Sequence, residues 1–227
     1  NMGHWSAGGP EWRFIESDLA MKPVHPSLVV LVSGNGTNLQ AILDACACGW
    51  LGANVVGVIS NKPDVPAIAR ATRSNVPVIV VEPIAGEQRV EYDSRLAAIV
   101  REMRPDFVVL AGFMRILSNE FLKFFPSQVV NLHPALPGEL PGTHAIERAF
   151  TESHENWRTH SGITVHFVPD EGVDTGPVIA SEVVPIHDDD TFETFAERMH
   201  ECERALLIHV LSDLCQKVIL SRESESV

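Results

Sequence analysis

Cysteine, tyrosine and positive charge are all scarce in this 227-residue sequence, and each scarcity removes a class of function. The four cysteines, Cys46, Cys48, Cys202 and Cys215, lack the C-x-x-C spacing of a structural zinc site or a thioredoxin-like motif, so they read as reduced thiols. Seventeen Lys and Arg against thirty Asp and Glu leave a formal charge of −13. Such a field repels polyanions, which argues against nucleic acid or an anionic membrane as partner. Any phosphate must be held locally, by a few well-placed groups. No apolar run approaches the roughly 18 to 20 residues that span a bilayer. Residues 1–27 contain no continuous apolar stretch either, so they read as an N-terminal extension and not a signal peptide. Nothing here implies export, and a cytoplasmic protein is the expectation.

What is present is apolar in abundance: 45% of residues, enough for one continuous core. From Leu28 to about Phe113, short β-branched runs alternate with amphipathic segments, the pattern of βαβ units around a parallel sheet. The runs at 28–33, 55–60, 76–81 and 106–113 are the strand candidates, and Val90, Leu96, Ile99, Val100 and Met103 predict a crossover helix over 87–103 that Pro105 ends. Further on, 163–168 and 177–186 follow one another with only a turn and loop between them, which predicts an antiparallel component. A last helix should begin after Asp188–Asp190, with Asp190 as N-cap and Glu193 at the capping-box position. The acidic run is then capping and not a metal site. The expected organisation is one α/β domain over 28–214, a mostly parallel Rossmann-like sheet flanked by helices, followed by a polar tail at 215–227 whose last stretch, SRESESV at 221–227, reads as frayed.

The first strand runs into Ser33-Gly34-Asn35-Gly36-Thr37-Asn38 and then an evident helix start. Glycines let a backbone approach an anion, and the free N–H groups of a helix N-terminus stabilise negative charge without a lysine. The loop lacks the Walker lysine, and Leu39 replaces the third glycine of G-x-G-x-x-G, so neither nucleoside triphosphate hydrolysis nor dinucleotide binding is supported. A tight turn that merely caps its helix is the other reading.

Gln128-Val129-Val130-Asn131 reads as a strand entering Leu132-His133-Pro134. Pro134 biases His133 toward an extended conformation, and residues i and i+2 of an extended chain share a face. Asn131 and His133 should therefore project together from the carboxyl end of a strand, where open α/β sheets bind ligands. Alone, each could be a satisfied structural residue. The glycine-containing acidic turn 170–177 follows a later strand and could bring Asp174 to the same edge; by itself it is an ordinary polar turn.

N-x-H-P at 131–134, D-E-G-x-D-T-G-P at 170–177, A-G-F-M-R at 111–115 and S-G-N-G-T-N-L at 33–39 together resemble the phosphoribosylglycinamide formyltransferases, over about Leu28 to Leu214. The resemblance implies transfer of a formyl group from 10-formyltetrahydrofolate, a cosubstrate, to the amine of glycinamide ribonucleotide in purine synthesis, with no metal, by a monomer or homodimer. It implies that Asn131, His133 and Asp174 are catalytic, and that Gly36, Thr37 and Asn38 hold the ribonucleotide phosphate while His200 and Glu203 contact the same substrate. It gives the folate to Arg89, Met114, Arg115, Ile116, Leu117, Asn131 and the loop Asp170, Glu171, Gly172, Val173 and Asp174. An amine attacking a formamide develops an oxyanion, which donors from His133 and Asn131 would face, and a carboxylate at Asp174 would favour charged His133 and help relay the proton.

Three departures from the family pattern stand out: the loop from Pro134 to Gly142, where H-P-S-L-L-P is more usual, Arg204 where another histidine is common, and the extension at 1–27. The nearest rival, a hydrolase passing the formyl group to water, usually carries a regulatory domain for which 27 residues are too few. Transfer to methionyl-tRNA would need a further RNA-binding domain and a basic surface. A nicotinamide oxidoreductase would place an acid after the second strand, where this chain has Ser60-Asn61-Lys62-Pro63.

Overall fold

A computed structural model describes residues 25–155 and 157–225; most of the expected N-terminal extension, residues 1–24, lies outside them. Seven strands and six helices alternate. The first five strands are β1 (Ser27–Val32), β2 (Asn54–Ser60), β3 (Val78–Val80), β4 (Phe107–Leu110) and β5 (Val129–His133). They pair in parallel through β3-β2-β1-β4-β5. The sheet continues with β6 (His160–Phe167) antiparallel to β5, and β7 (Val178–Pro185) antiparallel to β6. Both the parallel half and the antiparallel component match the sequence expectation. β3 and β4 are shorter than their apolar runs; β4 ends at Leu110 because the chain turns at Gly112, where φ is +75°.

Helices α1 (Thr37–Ala47), α2 (Pro66–Arg73), α3 (Arg89–Glu102), α4 (Asn119–Leu122), α5 (Ala145–His154) and α6 (Phe192–Glu225) cover the sheet. β1 shows why both faces need cover. Leu28, Val30 and Val32 join the core formed with α1, α5 and α6, while Val29 and Leu31 join the core formed with α3 and α4. A strand apolar at every position is the consequence of that two-sided burial. Strand order reverses between β1, which runs outward through β2 and β3, and β4, which runs outward through β5. Ligands of open α/β sheets bind in the crevice at such a switch point. Here the two flanking loops are 33–36 and 111–118.

α6 corrects two expectations. Its cap is Thr191, not Asp190: the Thr194 N–H donates to Thr191 Oγ1 at 3.3 Å, and the Thr191 N–H donates back to Thr194 Oγ1 at 3.0 Å. Thr194 thus takes the reciprocal role assigned to Glu193. Asp190 is instead held by Arg198, at 2.7 and 2.8 Å, and by the His187 N–H, so its charge is spent just ahead of the helix. Nor does the helix stop at 214 or fray from 221 to 225. Leu214 and Cys215 are buried, Val218 packs behind them, and Arg222 reaches Asp106 at 2.5 Å, so tertiary contacts carry the helix to Glu225 where composition alone predicts a loose tail.

Candidate active site

Antiparallel pairing sets Asn131 of β5 opposite His166 of β6 and His133 opposite Thr164. Because β5 is extended, Asn131 and His133 lie on one face. Asp174 reaches them from the loop after β6. Its φ of +54° is left-handed, a conformation aspartate tolerates better than most residues. His133 Nδ1 lies 3.3 Å from Asp174 Oδ2, and Asn131 Nδ2 donates to Asp174 Oδ1 at 3.2 Å. Three residues spread over 44 positions of sequence thus meet around one carboxylate.

The protonation pattern follows from the partners. His133 Nε2 faces the carbonyl oxygens of Leu140 at 3.0 Å and Glu139 at 3.4 Å, so it carries a hydrogen. Nδ1 faces the Asp174 carboxylate on the other side of the ring. The Asp174 carboxyl is largely buried, which by itself pushes its pKa up. Hydrogen bonds from His166 and from the Gly142 N–H, with the charges of His133 and His166, outweigh burial and hold it below the ordinary carboxylate value. A carboxylate fixed in its charged form beside an imidazole is the electrostatic centre of the site.

His166 is a site residue that the sequence reading missed. Its Nδ1 faces the Phe167 carbonyl at 2.9 Å and carries a hydrogen, while Nε2 lies 3.2 Å from Asn131 Nδ2 and 3.6 Å from Asp174 Oδ1. This orients the Asn131 amide, nitrogen toward Asp174. Its strand was legible, and period-two alternation put Thr164 and His166 on one face, but the pairing with Asn131 depends on a register that no local pattern specifies. The loop after His133 was expected to differ in shape. It carries left-handed Leu140, at φ +45°, and Arg148 of α5 donates to the Leu140 and Pro141 carbonyls, each at 2.7 Å. The same loop supplies the Gly142 N–H to Asp174 Oδ2 at 2.9 Å.

At the switch point, Gly36 is the left-handed N-cap of α1 at φ +75°, with no side chain capping the helix. A Cβ there would stand 2.7 Å from Ala67 Cβ, so glycine is required twice over, by conformation and by space. The N–H groups that Thr37 and Asn38 contribute open the uncapped first turn. Gly34 is different, since a Cβ there meets nothing. Arg70 of α2, unmarked in the sequence reading, donates through Nε to the Asn35 carbonyl at 2.8 Å and through Nη2 to Asn35 Oδ1 at 3.0 Å, bracing the loop. α6 packs on α1, and on it His200 Nδ1 meets Glu203 Oε2 at 2.6 Å. That hydrogen bond raises the His200 pKa.

The segments assigned to folate also adjoin. Arg89, at the start of α3, is ion-paired with Glu171, and the Asn119 N–H donates to the other Glu171 oxygen at 3.0 Å. The loop 170–174 is therefore tied to α3 and to the start of α4, just beyond segment 114–118. Within that segment the side chains diverge. Met114 and Ile116 are exposed, Leu117 is buried in the core, and Arg115 stacks over the Tyr92 ring at 4.1 Å. Exposed Met114, Ile116 and Val173 offer apolar surface suited to a flat aromatic ligand.

An α/β sheet with a glycine loop opening an uncapped helix at its switch point and an Asn-His-Asp cluster at its edge defines a class, and the chain belongs to it: it is a member of the formyl transferase family, whose model matches residues 27–211. Within that family it is similar to the phosphoribosylglycinamide formyltransferase of Dictyostelium discoideum, 42% identical over 205 residues that cover 84% of this chain and 98% of that one. It is also 42% identical over 178 residues to the trifunctional purine biosynthetic protein adenosine-3 of Drosophila melanogaster, covering 78% of this chain and 13% of that longer protein. Among solved structures, glycinamide ribonucleotide transformylase 1 from Symbiobacterium toebii superposes with a TM-score of 0.80 at 34% identity, over 88% of this chain and 92% of that one. The resemblance drawn from the motifs is borne out.

Proposed function

We propose that the chain transfers the formyl group of 10-formyltetrahydrofolate to the primary amine of glycinamide ribonucleotide, giving formylglycinamide ribonucleotide and tetrahydrofolate in purine synthesis. The observation that carries the reading is the convergence of Asn131 and His133 on the Asp174 carboxylate. The folate supplies an activated formyl carbon; the protein's residues bind, orient and move protons. Gly36, Thr37 and Asn38 hold the ribonucleotide phosphate by main-chain N–H groups, with His200 and Glu203 on the same substrate. Arg89, Met114 to Leu117, Asn131 and the loop Asp170 to Asp174 hold the folate.

As the amine adds to the formyl carbon, negative charge grows on the formyl oxygen. The polar groups of His133 and Asn131 meet other partners: the neutral Leu140 and Glu139 carbonyls for His133, Asp174 and His166 for Asn131. A full oxyanion is a stronger acceptor than a backbone carbonyl. The His133 N–H therefore transfers to it most favourably in the transition state, which is where stabilisation accelerates a reaction. The amine must lose one proton and the departing folate nitrogen must gain one. Asp174 accepts and relays that proton while keeping His133 charged. The four free thiols suit the cytoplasm.

The test supplies 10-formyltetrahydrofolate with and without glycinamide ribonucleotide and follows tetrahydrofolate and formate. Tetrahydrofolate should appear only with the amine present, and without free formate. Formate release in the absence of amine would replace transfer with hydrolysis.

A further inference from the structure

We infer that Ser33 is a positioning residue that sets the separation of the two substrates by joining the loop after β1 to the loop after β4. The inference rests on the assignment of those loops to ribonucleotide and folate. Ser33 is buried at the carboxyl end of β1, one residue before the glycine turn, and its Oγ accepts the Met114 N–H at 2.8 Å. That bond crosses the switch point between β1 and β4, joining positions 81 residues apart.

Each loop is stiff on its own side. The first is seated on α2, with Gly36 against Ala67 and Asn35 held by Arg70. The second is pinned at its far end, where the Ser118 N–H donates to buried Asp93 Oδ2 at 2.6 Å, and along its length by Arg115 stacked on Tyr92, whose hydroxyl donates to the Val81 carbonyl at 2.9 Å. Two stiff loops joined by a short hydrogen bond move as one body. The distance between an amine held by the first and a formyl carbon held by the second then depends on that bond. Transfer is steeply sensitive to such a distance, a misplacement of about 1 Å costing about a hundredfold.

The experiment uses the full chain carrying Ser33→Ala, a substitution small enough to leave the fold intact. Glycinamide ribonucleotide is titrated with and without saturating tetrahydrofolate, which lacks the formyl group and permits no turnover. In the native protein tetrahydrofolate should change ribonucleotide affinity by about fivefold or more. In Ser33→Ala that ratio should fall to within about twofold of one, and kcat should drop about tenfold or more, while each ligand alone binds within about threefold of native. A native ratio near one, an unchanged ratio in the variant, or a loss of turnover accounted for by raised KM values overturns the inference. Gly36→Ala in parallel separates the two levels. If it leaves ribonucleotide binding unchanged, the loop assignment fails and the inference with it. If it weakens binding while Ser33→Ala keeps the native ratio, only the role of Ser33 fails.

Discussion

The loop after β1 presents main chain, whereas the cluster where β5 meets β6 presents side chains. In the first, Gly36 turns left-handed against Ala67 and exposes the N–H groups of an uncapped helix. In the second, Asn131, His133, His166 and Asp174 gather from two strands and a loop, each satisfied by another. The difference lies in what a substitution can break. A main-chain anion site has no side chain whose removal abolishes it, and it fails when the backbone is displaced. A side-chain cluster depends on individual groups and on their charge.

The largest expected effect is therefore at the carboxylate. Asp174→Asn should lower kcat at least about a hundredfold while the protein keeps its far-ultraviolet circular dichroism, since it removes the charge opposite His133 and the proton acceptor together. Turnover near native would dissolve the cluster as a catalytic unit.

Next comes the main-chain site. Gly36→Ala puts a side chain at φ +75° and a Cβ 2.7 Å from Ala67. It should destabilise the fold by about 1 to 2 kcal/mol in denaturant melts and raise the KM for ribonucleotide much more than that for folate. An equal rise in both constants would erase the division between the regions.

Acid and alkali should separate them further. The lowered pKa of Asp174 means that its contribution to stability is complete above its ordinary value near 3.8 and is lost as pH falls through the lower folded value. The raised pKa of His200 works in the other direction. Its pairing with Glu203 contributes in full below 6.5 and is lost as pH rises through the folded value. Melting temperatures followed across pH should show the acid loss reduced in Asp174→Asn and the alkaline loss reduced in His200→Ala. Native-like profiles for both variants would refute the assignment of these slopes.

The smallest effect is remote from both regions. Thr191→Ala removes the reciprocal cap of α6 and should cost about 1 kcal/mol in denaturant melts without touching either KM. A selective rise in the ribonucleotide KM would show that α6 transmits its seating to His200 and Glu203.

Most of the fold was legible because its signals are local. Seven strand runs, a glycine turn opening a helix and a proline closing another each act within a few residues, and the mixed sheet assembled from them is of the expected kind. Helices α2 and α5 were not read. Both are short and polar on one side, and the left-handed His144 that opens α5 gives no composition cue. The same holds for the caps. Asp190 is a good N-cap by type, but its ion pair with Arg198, eight residues on, leaves the role to Thr191.

Sequence by itself determined the parallel half of the sheet, the glycine loop at its switch point and the shared face of Asn131 and His133, because helix and strand periodicity and glycine's freedom at positive φ act over a few residues. Tertiary structure alone decided that Asp174 and His166 close the cluster, that Arg70 and Ser33 tie the glycine loop to α2 and to the loop after β4, and that α6 continues to Glu225. Those outcomes depend on strand register, on loop conformation and on burial against distant residues, none of which a local pattern encodes.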